Sequence, residues 1–213
     1  HLFEEAVQAG VTIEKIFALE NYRDQLAAFP QTIWVSEDIL LDLADSQNPQ
    51  GIVAVVQKEE VGQADFSQGK FLFLEDVQDP GNVGTIIRTA DAAGFTGVIV
   101  SDKSADTYSL KTLRSMQGSH FHLPIYRMSS QALLEKAKKA GIPVLATTLS
   151  KDSVDYRGLV PIENFVLVMG NEGQGISPLM AESADQLVHI SMKGQAESLN
   201  VAVAAGILIF HLS

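Results

Sequence analysis

Two polar loops of this sequence carry side chains that could bind an anion or orient a reacting hydroxyl group. The first, Asp79-Pro80-Gly81-Asn82-Val83-Gly84, follows an apolar strand pattern and precedes a helical pattern that contains Arg88. Asn82 lies near the predicted start of this helix, where backbone N–H groups without intrahelical partners favour anions. Asn82 and Arg88 together could therefore hold a phosphate or a carboxylate. The alternative is that Asn82 caps the helix and that Arg88 is a surface charge.

The second polar loop, residues 170–175, contains three glycines and Glu172. It follows the apolar run Phe165–Met169, which is typical of a buried strand. Glycines allow close approach of the backbone to a ligand. The loop is neither a P-loop nor a dinucleotide fingerprint, because Gly-Lys-Ser/Thr and Gly-x-Gly-x-x-Gly are both absent. The alternative is an ordinary strand-to-helix turn, with Ser177 as the cap and Pro178 in the first helical turn.

Further polar candidates lie elsewhere in the chain. Ser198 and Asn200 precede the apolar run 201–210, and their alternative role is helix capping. No His or Asp is placed to make Ser198 a triad nucleophile. His120 and His122 alternate along a predicted strand, where a structural role is favoured over a metal pair. Cysteine is absent, which excludes disulfides, thiolate metal sites and a cysteine nucleophile.

Composition limits the class of protein. The chain of 213 residues is 46% hydrophobic, which supports a sizeable core and argues against disorder. Its net charge of -11 argues against a simple nucleic-acid binder, although a local basic patch remains compatible with it. No apolar run approaches the roughly 20 residues of a membrane span, and no signal peptide is visible. We therefore expect a cytoplasmic protein without membrane contact. Because the sequence begins at His1 rather than at a methionine, we also expect residues upstream.

The apolar patterns predict an α/β architecture in two domains, residues 1–62 and 70–213, with a polar linker near residues 57–69. The predicted helices cover residues 2–9, 21–29, 37–44, 85–93, 110–116, 131–140 (capped by Ser130) and 201–210. The predicted strands cover residues 13–18, 32–35, 52–56, 70–75, 98–101, 122–126, 143–147, 165–169 and 187–192. Strands that alternate with helices indicate a mostly parallel sheet, and both polar loops follow buried strands. In such a sheet, ligands bind at the carboxyl ends of the strands.

Three blocks, read in order, resemble the SpoU/TrmH branch of the SPOUT methyltransferases. They are LEDVQDPGNVGTIIRTA at residues 74–90, VMGNEGQGIS at residues 168–177 and ISMKGQAESLNVAVAAGI at residues 190–207. The resemblance covers about residues 70–212. Residues 1–62 resemble the small ribosomal-protein-like α/β domain that often precedes this catalytic domain and helps to dock RNA. They hold 3 Lys/Arg and 11 Asp/Glu, which is an unusual balance for an RNA-binding domain.

The resemblance implies an enzyme that transfers a methyl group from S-adenosylmethionine to a ribose 2′-hydroxyl of ribosomal or transfer RNA, with ribosomal RNA favoured. It also implies a C-terminal trefoil knot, a homodimer and no metal. The matching active-site residues are Asn82, Arg88, Glu172, Ser198 and Asn200. The matching cofactor positions, which would act through their backbone, are Thr147, Gly170, Ile190, Met192 and Leu199. Arg88 would clamp the substrate phosphate and the hydroxyl rather than act as the base, because a guanidinium is very hard to deprotonate.

One stretch departs from the family pattern. Arg114, Ser115 and Gly118 fit it, but Met116 is bulky where small residues are common. Arg114 is a second candidate phosphate contact. Two other functions stay open: a catalytically silent RNA-binding or ribosome-associated protein with the same fold, and a nucleotide-dependent enzyme such as a dehydrogenase. The five matching active-site residues argue against the first, and the absent phosphate-binding fingerprint argues against the second.

Overall fold

The apolar runs of the chain form the strands of two separate sheets. The computed structural model describes residues 2–44, 48–58, 60–160 and 162–213. Contacts within the chain divide it into two units, His1–Glu60 and Val61–Ser213. Each unit has its own sheet, and the first unit has one buried cluster of apolar side chains while the second has two.

The first unit is a three-stranded sheet with two helices. Its elements are α1 (Leu2–Gln8), β1 (Ile13–Ala18), β2 (Thr32–Trp34), α2 (Glu37–Ala44) and β3 (Ile52–Val56). The central strand β1 pairs in parallel with β2 and antiparallel with β3. Ile16, Ala18 and Leu26 form its buried cluster.

The helix predicted at residues 21–29 is wrong. Only a 3-10 turn forms, at Glu20–Tyr22, and isolated turns follow it. The Tyr22 hydroxyl donates to the carbonyl oxygen of Gln50 at 2.8 Å, which holds the start of this segment against the turn before β3. Leu26 is 1% exposed and anchors the rest of the segment in the cluster. Tertiary contacts therefore override a helix propensity that is a weak constraint over so short a segment.

The second unit contains seven strands and five helices among its described residues. The strands are β4 (Lys70–Leu74), β5 (Gly97–Val100), β6 (Ile125–Arg127), β7 (Val144–Thr147), β8 (Val154–Asp155), β9 (Phe165–Met169) and β10 (Gln186–His189). The helices are α3 (Pro80–Ala92), α4 (Leu110–Met116), α5 (Ser130–Ala140), α6 (Pro178–Ser183) and α7 (Val201–Leu212). The strand order is β6-β5-β4-β9-β7-β10-β8, and every pair is parallel. This confirms the predicted α/β fold with its mostly parallel sheet.

Side chains of a strand alternate between the two faces of its sheet. Both faces of this sheet carry apolar side chains, so helices pack against both of them. Leu72 and Leu74 of β4 belong to a buried cluster that includes residues of α3 and α7. Phe71 and Phe73, on the opposite face, belong to a cluster that includes residues of α5 and α6. The central strands are consequently buried on both faces, as their continuous apolar runs predict.

Several element boundaries differ from the prediction, and for two helices the reason is that local capping was misjudged. Helix α3 begins at Pro80 rather than at residue 85, since the Asp79 carboxylate accepts from the Asn82 N–H. Helix α5 is capped by Ser129, not by Ser130. Strand β10 ends at His189, and the two-residue strand β8 was not predicted.

The last helix is less buried than its sequence predicts. Its apolar composition on every side indicates a buried helix. In the structure, the buried positions of α7 are Val201, Ala205, Leu208, Ile209 and Leu212. Val203 is 53% exposed and Phe210 is 59% exposed. Helix α7 therefore presents an apolar face to solvent in the single chain.

Replacing Gly84 by alanine should destabilise the second unit by about 1–3 kcal/mol. A Cβ atom at this position of α3 would lie 2.5 Å from the Ser115 Cβ and 2.6 Å from the Thr112 carbonyl oxygen, so α3 and α4 would have to separate. The free energy of unfolding from denaturant titration measures the effect. Gly158→Ala is the matched control, because nothing lies within 4 Å of its Cβ position. Equal stability of the two variants would contradict the close helix contact.

Among the residues that the structure describes, no helix is both long and apolar enough to cross a membrane.

Candidate functional site

Three of the five predicted cofactor positions lie at the ends of three neighbouring strands. Strands β9, β7 and β10 lie side by side, with Ala146 opposite Val168 and Thr147 opposite Val188. Gly170 and Ile190 come one residue after β9 and β10, so both lie with Thr147 at the same carboxyl edge of the sheet. This is the edge at which ligands bind in parallel α/β sheets.

The Glu172 carboxylate places a negative charge of the chain itself at the start of α3. Its carboxylate accepts hydrogen bonds from the Gln78 N–H at 3.2 Å, from the Asp79 N–H at 3.2 Å and from Asn82 Nδ2 at 3.1 Å. The predicted phosphate or carboxylate site at this helix start is therefore occupied by a side chain of the protein. The alternative role of Asn82 as the cap is also wrong, because Asp79 caps the helix.

Both carboxylates at this helix start are held in the ionised form. Burial raises the pKa of Glu172, but the hydrogen bonds from Asn82, Gln78 and Asp79 outweigh it, so its pKa lies below the ordinary value of 4.5. The Asn82 N–H, and then Lys111 at 3.1 Å, hold the pKa of Asp79 below its ordinary value. Both negative charges interact favourably with the positive end of the helix dipole, and both carboxylates remain ionised at neutral pH.

Asn82 connects the first and third sequence blocks. Its Oδ1 accepts from Asn200 Nδ2 at 3.0 Å, while its Nδ2 donates to Glu172. Asn200 Oδ1 in turn caps α7, accepting from the N–H groups of Ala202 at 2.8 Å and Val203 at 3.3 Å. A continuous chain of hydrogen bonds thus runs from the glycine loop through α3 to the start of α7.

The glycine loop is closed by its own backbone. The N–H and carbonyl groups of Asn171 and Gly175 pair at 3.0 and 2.9 Å. A Cβ atom at Gly170 would lie 2.4 Å from Gly175 C and from Ile176 N. Gly170 is therefore required by the closure of the loop itself, and the approach of a ligand to its backbone stays a prediction.

Two supporting residues were missed by the sequence analysis. Buried Glu75 accepts from the Ser177 N–H and hydroxyl, both at 2.8 Å, and from the Ser130 hydroxyl at 2.5 Å. Asn171 Nδ2 donates to the carbonyl oxygen of Asp76 at 2.7 Å. The available signal for Glu75 was an acidic residue directly after the apolar run Phe71–Leu74, since a buried carboxyl group needs hydrogen-bond partners.

Arg88 and Ser198 remain outside this network. Both are exposed, and in the described part of the chain neither side chain makes a hydrogen bond or an ion pair. Arg88 lies in the same helix as Asn82, six positions later. The structure therefore brings together Asn82, Glu172 and Asn200 and leaves Arg88 and Ser198 directed to solvent.

The segment that precedes α7 offers backbone groups to a ligand. From Met192 to Leu199 no backbone hydrogen bond forms with the described residues. Met192 is half-buried, and Leu199 is 36% exposed. Backbone donors and acceptors beside a strand end suit a ligand with both amide-like and apolar parts.

The predicted histidine pair does not lie on one strand. His120 belongs to a 3-10 turn, Ser119–Phe121, and His122 follows it. Burial, with a smaller contribution from His122, lowers the pKa of His120 to about 4, so its ring is neutral. Across the described residues, no group of three side chains is arranged to hold a metal ion.

Met116, the departure from the family pattern, is a core residue. It is 0% exposed and lies in the buried cluster with residues of α3. Arg114 is exposed on the same helix, α4. The bulky side chain therefore fills the interior, and the candidate phosphate contact Arg114 stays accessible.

Comparison with family models identifies both units. Residues 69–210 match the SpoU rRNA Methylase family, and residues 1–62 match the domain described as RNA 2'-O ribose methyltransferase substrate binding. The chain is 40% identical over 214 residues to the 23S rRNA (guanosine(2553)-2'-O)-methyltransferase RlmP of Bacillus subtilis, covering 100% of this chain and 85% of that protein.

Solved structures show the same architecture. An rRNA methyltransferase from Sinorhizobium meliloti, with AdoMet bound, is 34% identical with a TM-score of 0.89, over 99% of this chain and 83% of that one. The SpoU methyltransferase AviRb from Streptomyces viridochromogenes, in complex with AdoMet, is 30% identical with a TM-score of 0.83, over 99% and 86% of the two chains. With the family match covering most of its length, the chain belongs to the SpoU rRNA methylase family.

Proposed function

We propose that this protein methylates a ribose 2′-hydroxyl of ribosomal RNA with S-adenosylmethionine as the methyl donor. The observation that carries the proposal is the hydrogen-bonded chain Glu172–Asn82–Asn200, which joins the three sequence blocks beside the carboxyl edge of the sheet. The relatives described above are named as ribosomal RNA methyltransferases. No dehydrogenase fingerprint competes with this assignment in the sequence.

The residues fit S-adenosylmethionine. When bound, the cofactor supplies an electrophilic methyl group on a sulfonium, and the protein supplies orientation. Gly170, Thr147 and Ile190 lie at one sheet edge, and Met192 and Leu199 belong to the segment whose backbone groups make no bonds with the described chain. We assign the cofactor to these five positions, with the backbone holding its adenosine and methionine parts.

In the mechanism that we propose, Arg88 is the group that meets the substrate. Its guanidinium faces solvent, where it can contact an RNA phosphate and orient the ribose 2′-hydroxyl for in-line attack. The hydroxyl oxygen would gain the methyl group as the bond from the methyl carbon to the sulfonium breaks, its proton would pass to water, and S-adenosylhomocysteine would leave as a neutral thioether. Glu172, Asn82 and Asn200 fix the glycine loop and the start of α3, the helix that carries Arg88, and we assign exposed Ser198 to the same site. No step requires a metal.

We also propose that the C-terminal segment forms a trefoil knot. Strand β10 lies between β7 and β8, although these two are consecutive in the chain. Residues 148–153, which connect β7 to β8, must therefore pass around β10. The chain that leaves β10 continues past this connection to α7, which packs against α3. This arrangement supports threading of the C-terminal segment through a preceding loop.

A homodimer is expected to form through the exposed apolar face of α7. The wild-type protein should elute at about twice its mass of 23.0 kDa, and Phe210→Glu should elute as a monomer. Size-exclusion chromatography at micromolar concentration measures this. Val160→Glu is the control, because this residue is 77% exposed and lies outside α7. A monomeric wild-type protein would contradict the homodimer.

We assign the docking of RNA to the first unit, since its family model is described by substrate binding. Positions 1–62 hold 11 acidic residues and only 3 basic ones. We therefore expect cations of the second unit, Arg88 and Arg114 among them, to make much of the contact with the RNA phosphates. Because the Bacillus subtilis relative is named for guanosine 2553 of 23S rRNA, the corresponding guanosine is the first site to examine. The reaction then takes place in the cytoplasm, where ribosomes are assembled.

The test is methyl transfer from radiolabelled S-adenosylmethionine to unmodified total RNA, followed by digestion to nucleosides. The proposal expects label in a 2′-O-methylnucleoside of ribosomal RNA. Label in transfer RNA would instead correct the substrate class. Cofactor binding without transfer to any RNA would favour the catalytically silent RNA-binding protein. No rise in melting temperature with S-adenosylmethionine would contradict the proposal itself.

A further inference from the structure

His189 connects the end of β10 to the loop before β8. Its Nδ1 lies 2.9 Å from Ser153 Oγ. The Ser153 hydroxyl donates to the Ser150 carbonyl oxygen at 2.7 Å, and its oxygen also accepts from the Ser150 N–H at 3.2 Å. Ser153 therefore joins the imidazole of His189 to the backbone of Ser150.

The other side of the ring meets a second serine. His189 Nε2 lies 3.2 Å from Ser191 Oγ. Close to it, the Asp155 carboxylate is paired with Arg157 at 2.6 and 2.9 Å. The Arg157 guanidinium, followed by Ser191, holds the pKa of Asp155 well below its ordinary value. The imidazole thus bridges the 150–153 loop and the residues that follow β10.

The position of this bridge relates it to the proposed cofactor segment. His189 directly precedes Ile190, and Ser191 directly precedes Met192, two of the positions assigned to the cofactor. On the other side, the Thr148 N–H donates to the Val188 carbonyl oxygen at 3.0 Å, next to Thr147. From Met192 to Leu199, the backbone has no partner of its own within the described chain. The path of residues 192–199 after β10 therefore depends on side-chain contacts made by the residues just before them.

We propose that His189 is a positioning residue, which holds the 150–153 loop and residues 190–192 in the arrangement that binds S-adenosylmethionine. The inference rests on the proposed function and adds to it a residue outside the family's active-site set. Since His189 itself is half-buried and lies before the backbone positions, it acts through them rather than by contact with the reacting atoms.

Calorimetric titration with S-adenosylmethionine, together with steady-state kinetics, tests this role. His189→Ala should raise the dissociation constant and KM for the cofactor about tenfold, as expected for the loss of one or two hydrogen bonds, with kcat nearly unchanged at saturation. His189→Asn, whose amide can take the place of Nδ1, should recover most of the affinity. Lys151→Ala, in the same loop and exposed, is the control and should bind like the wild type.

A second variant separates positioning from general destabilisation. Ser153→Ala removes the same contact from its other end, so its effect on cofactor affinity should not add to that of His189→Ala. Additive effects, or a fall in kcat with unchanged KM, would overturn the inference. Normal cofactor binding by both wild type and His189→Ala would contradict this inference alone. A wild-type protein that binds no S-adenosylmethionine would contradict the proposed function as well.

Discussion

Replacement of Arg88 by alanine should lower kcat/KM for methyl transfer by about a thousandfold or more, and leave cofactor affinity and melting temperature near wild type. The exposed guanidinium makes no hydrogen bond or ion pair with the described residues, so its removal breaks no polar contact among them. Exposed substitutions of this kind usually change stability by less than about 0.5 kcal/mol. The effect should therefore appear in the reaction and not in folding.

Three measurements make this expectation specific. Methyl transfer, titration with S-adenosylmethionine and thermal unfolding are compared for Arg88→Ala, Arg88→Lys and Lys138→Ala, which removes an exposed cation from α5. Arg88→Lys keeps the charge but loses the planar fork, so it should recover only a small part of the activity. Loss of stability in Arg88→Ala would show that the residue is structural, and full activity would exclude it from the site.

The sequence predicts the centre of this fold better than its margins, for a physical reason. Strands such as β4 and β9 are buried on both faces, so their apolar runs are continuous and unambiguous. The segment 21–29 has no such constraint, and its contacts with Gln50 and the β1 cluster decide its shape. Strand β8, with two residues, is too short to carry any periodic pattern.

The candidate site shows the same division. Matching motifs identify Asn82, Glu172 and Asn200, but their mutual bonds join residues 90 and 118 positions apart and no local pattern reports them. At the start of α3, a carboxylate from a distant loop of the same chain takes the hydrogen bonds from Gln78, Asp79 and Asn82, and a phosphate held by Arg88 stays a prediction. Glu75 was missed for the same reason, since its partner Ser177 lies 102 positions away.

The exposed face of α7 illustrates a limit of composition. A helix that is apolar all round indicates burial, but the pattern does not say by what. In the single chain, Val203 and Phe210 are more than half exposed. We propose that a second copy of the chain covers this face. The sequence does not show that the face is exposed in a single chain, whereas the structure does.

Asn82 should be the least replaceable residue of the hydrogen-bonded chain, because it both donates and accepts. Its Nδ2 donates to the Glu172 carboxylate and its Oδ1 accepts from Asn200. Asn82→Ala loses both bonds, and we expect methyl transfer to fall at least about a hundredfold at neutral pH, with melting lowered by a few degrees. Thr85→Ala, an exposed position of the same helix, is the control and should retain activity.

Asn82→Asp is the more specific test, because it keeps the shape of the side chain but replaces the amide donor to Glu172 with a carboxylate oxygen. The new carboxylate can still accept from Asn200 but would face Glu172 at the position where an amide now donates at 3.1 Å. Two carboxylates at this distance cannot both stay ionised without cost, so the pKa of the pair rises and a shared proton restores a donor as the pH falls.

Activity of Asn82→Asp relative to wild type should therefore increase from about pH 8 toward about pH 5.5, while that of Asn82→Ala relative to wild type stays flat. In the wild type, the pKa of Glu172 is lowered, so its stabilising contribution is complete above the ordinary value of 4.5 and is lost only below it. Initial rates at saturating cofactor across this range measure the ratio. A pH-independent deficit in Asn82→Asp would show that Asn82 does not act as the donor to Glu172.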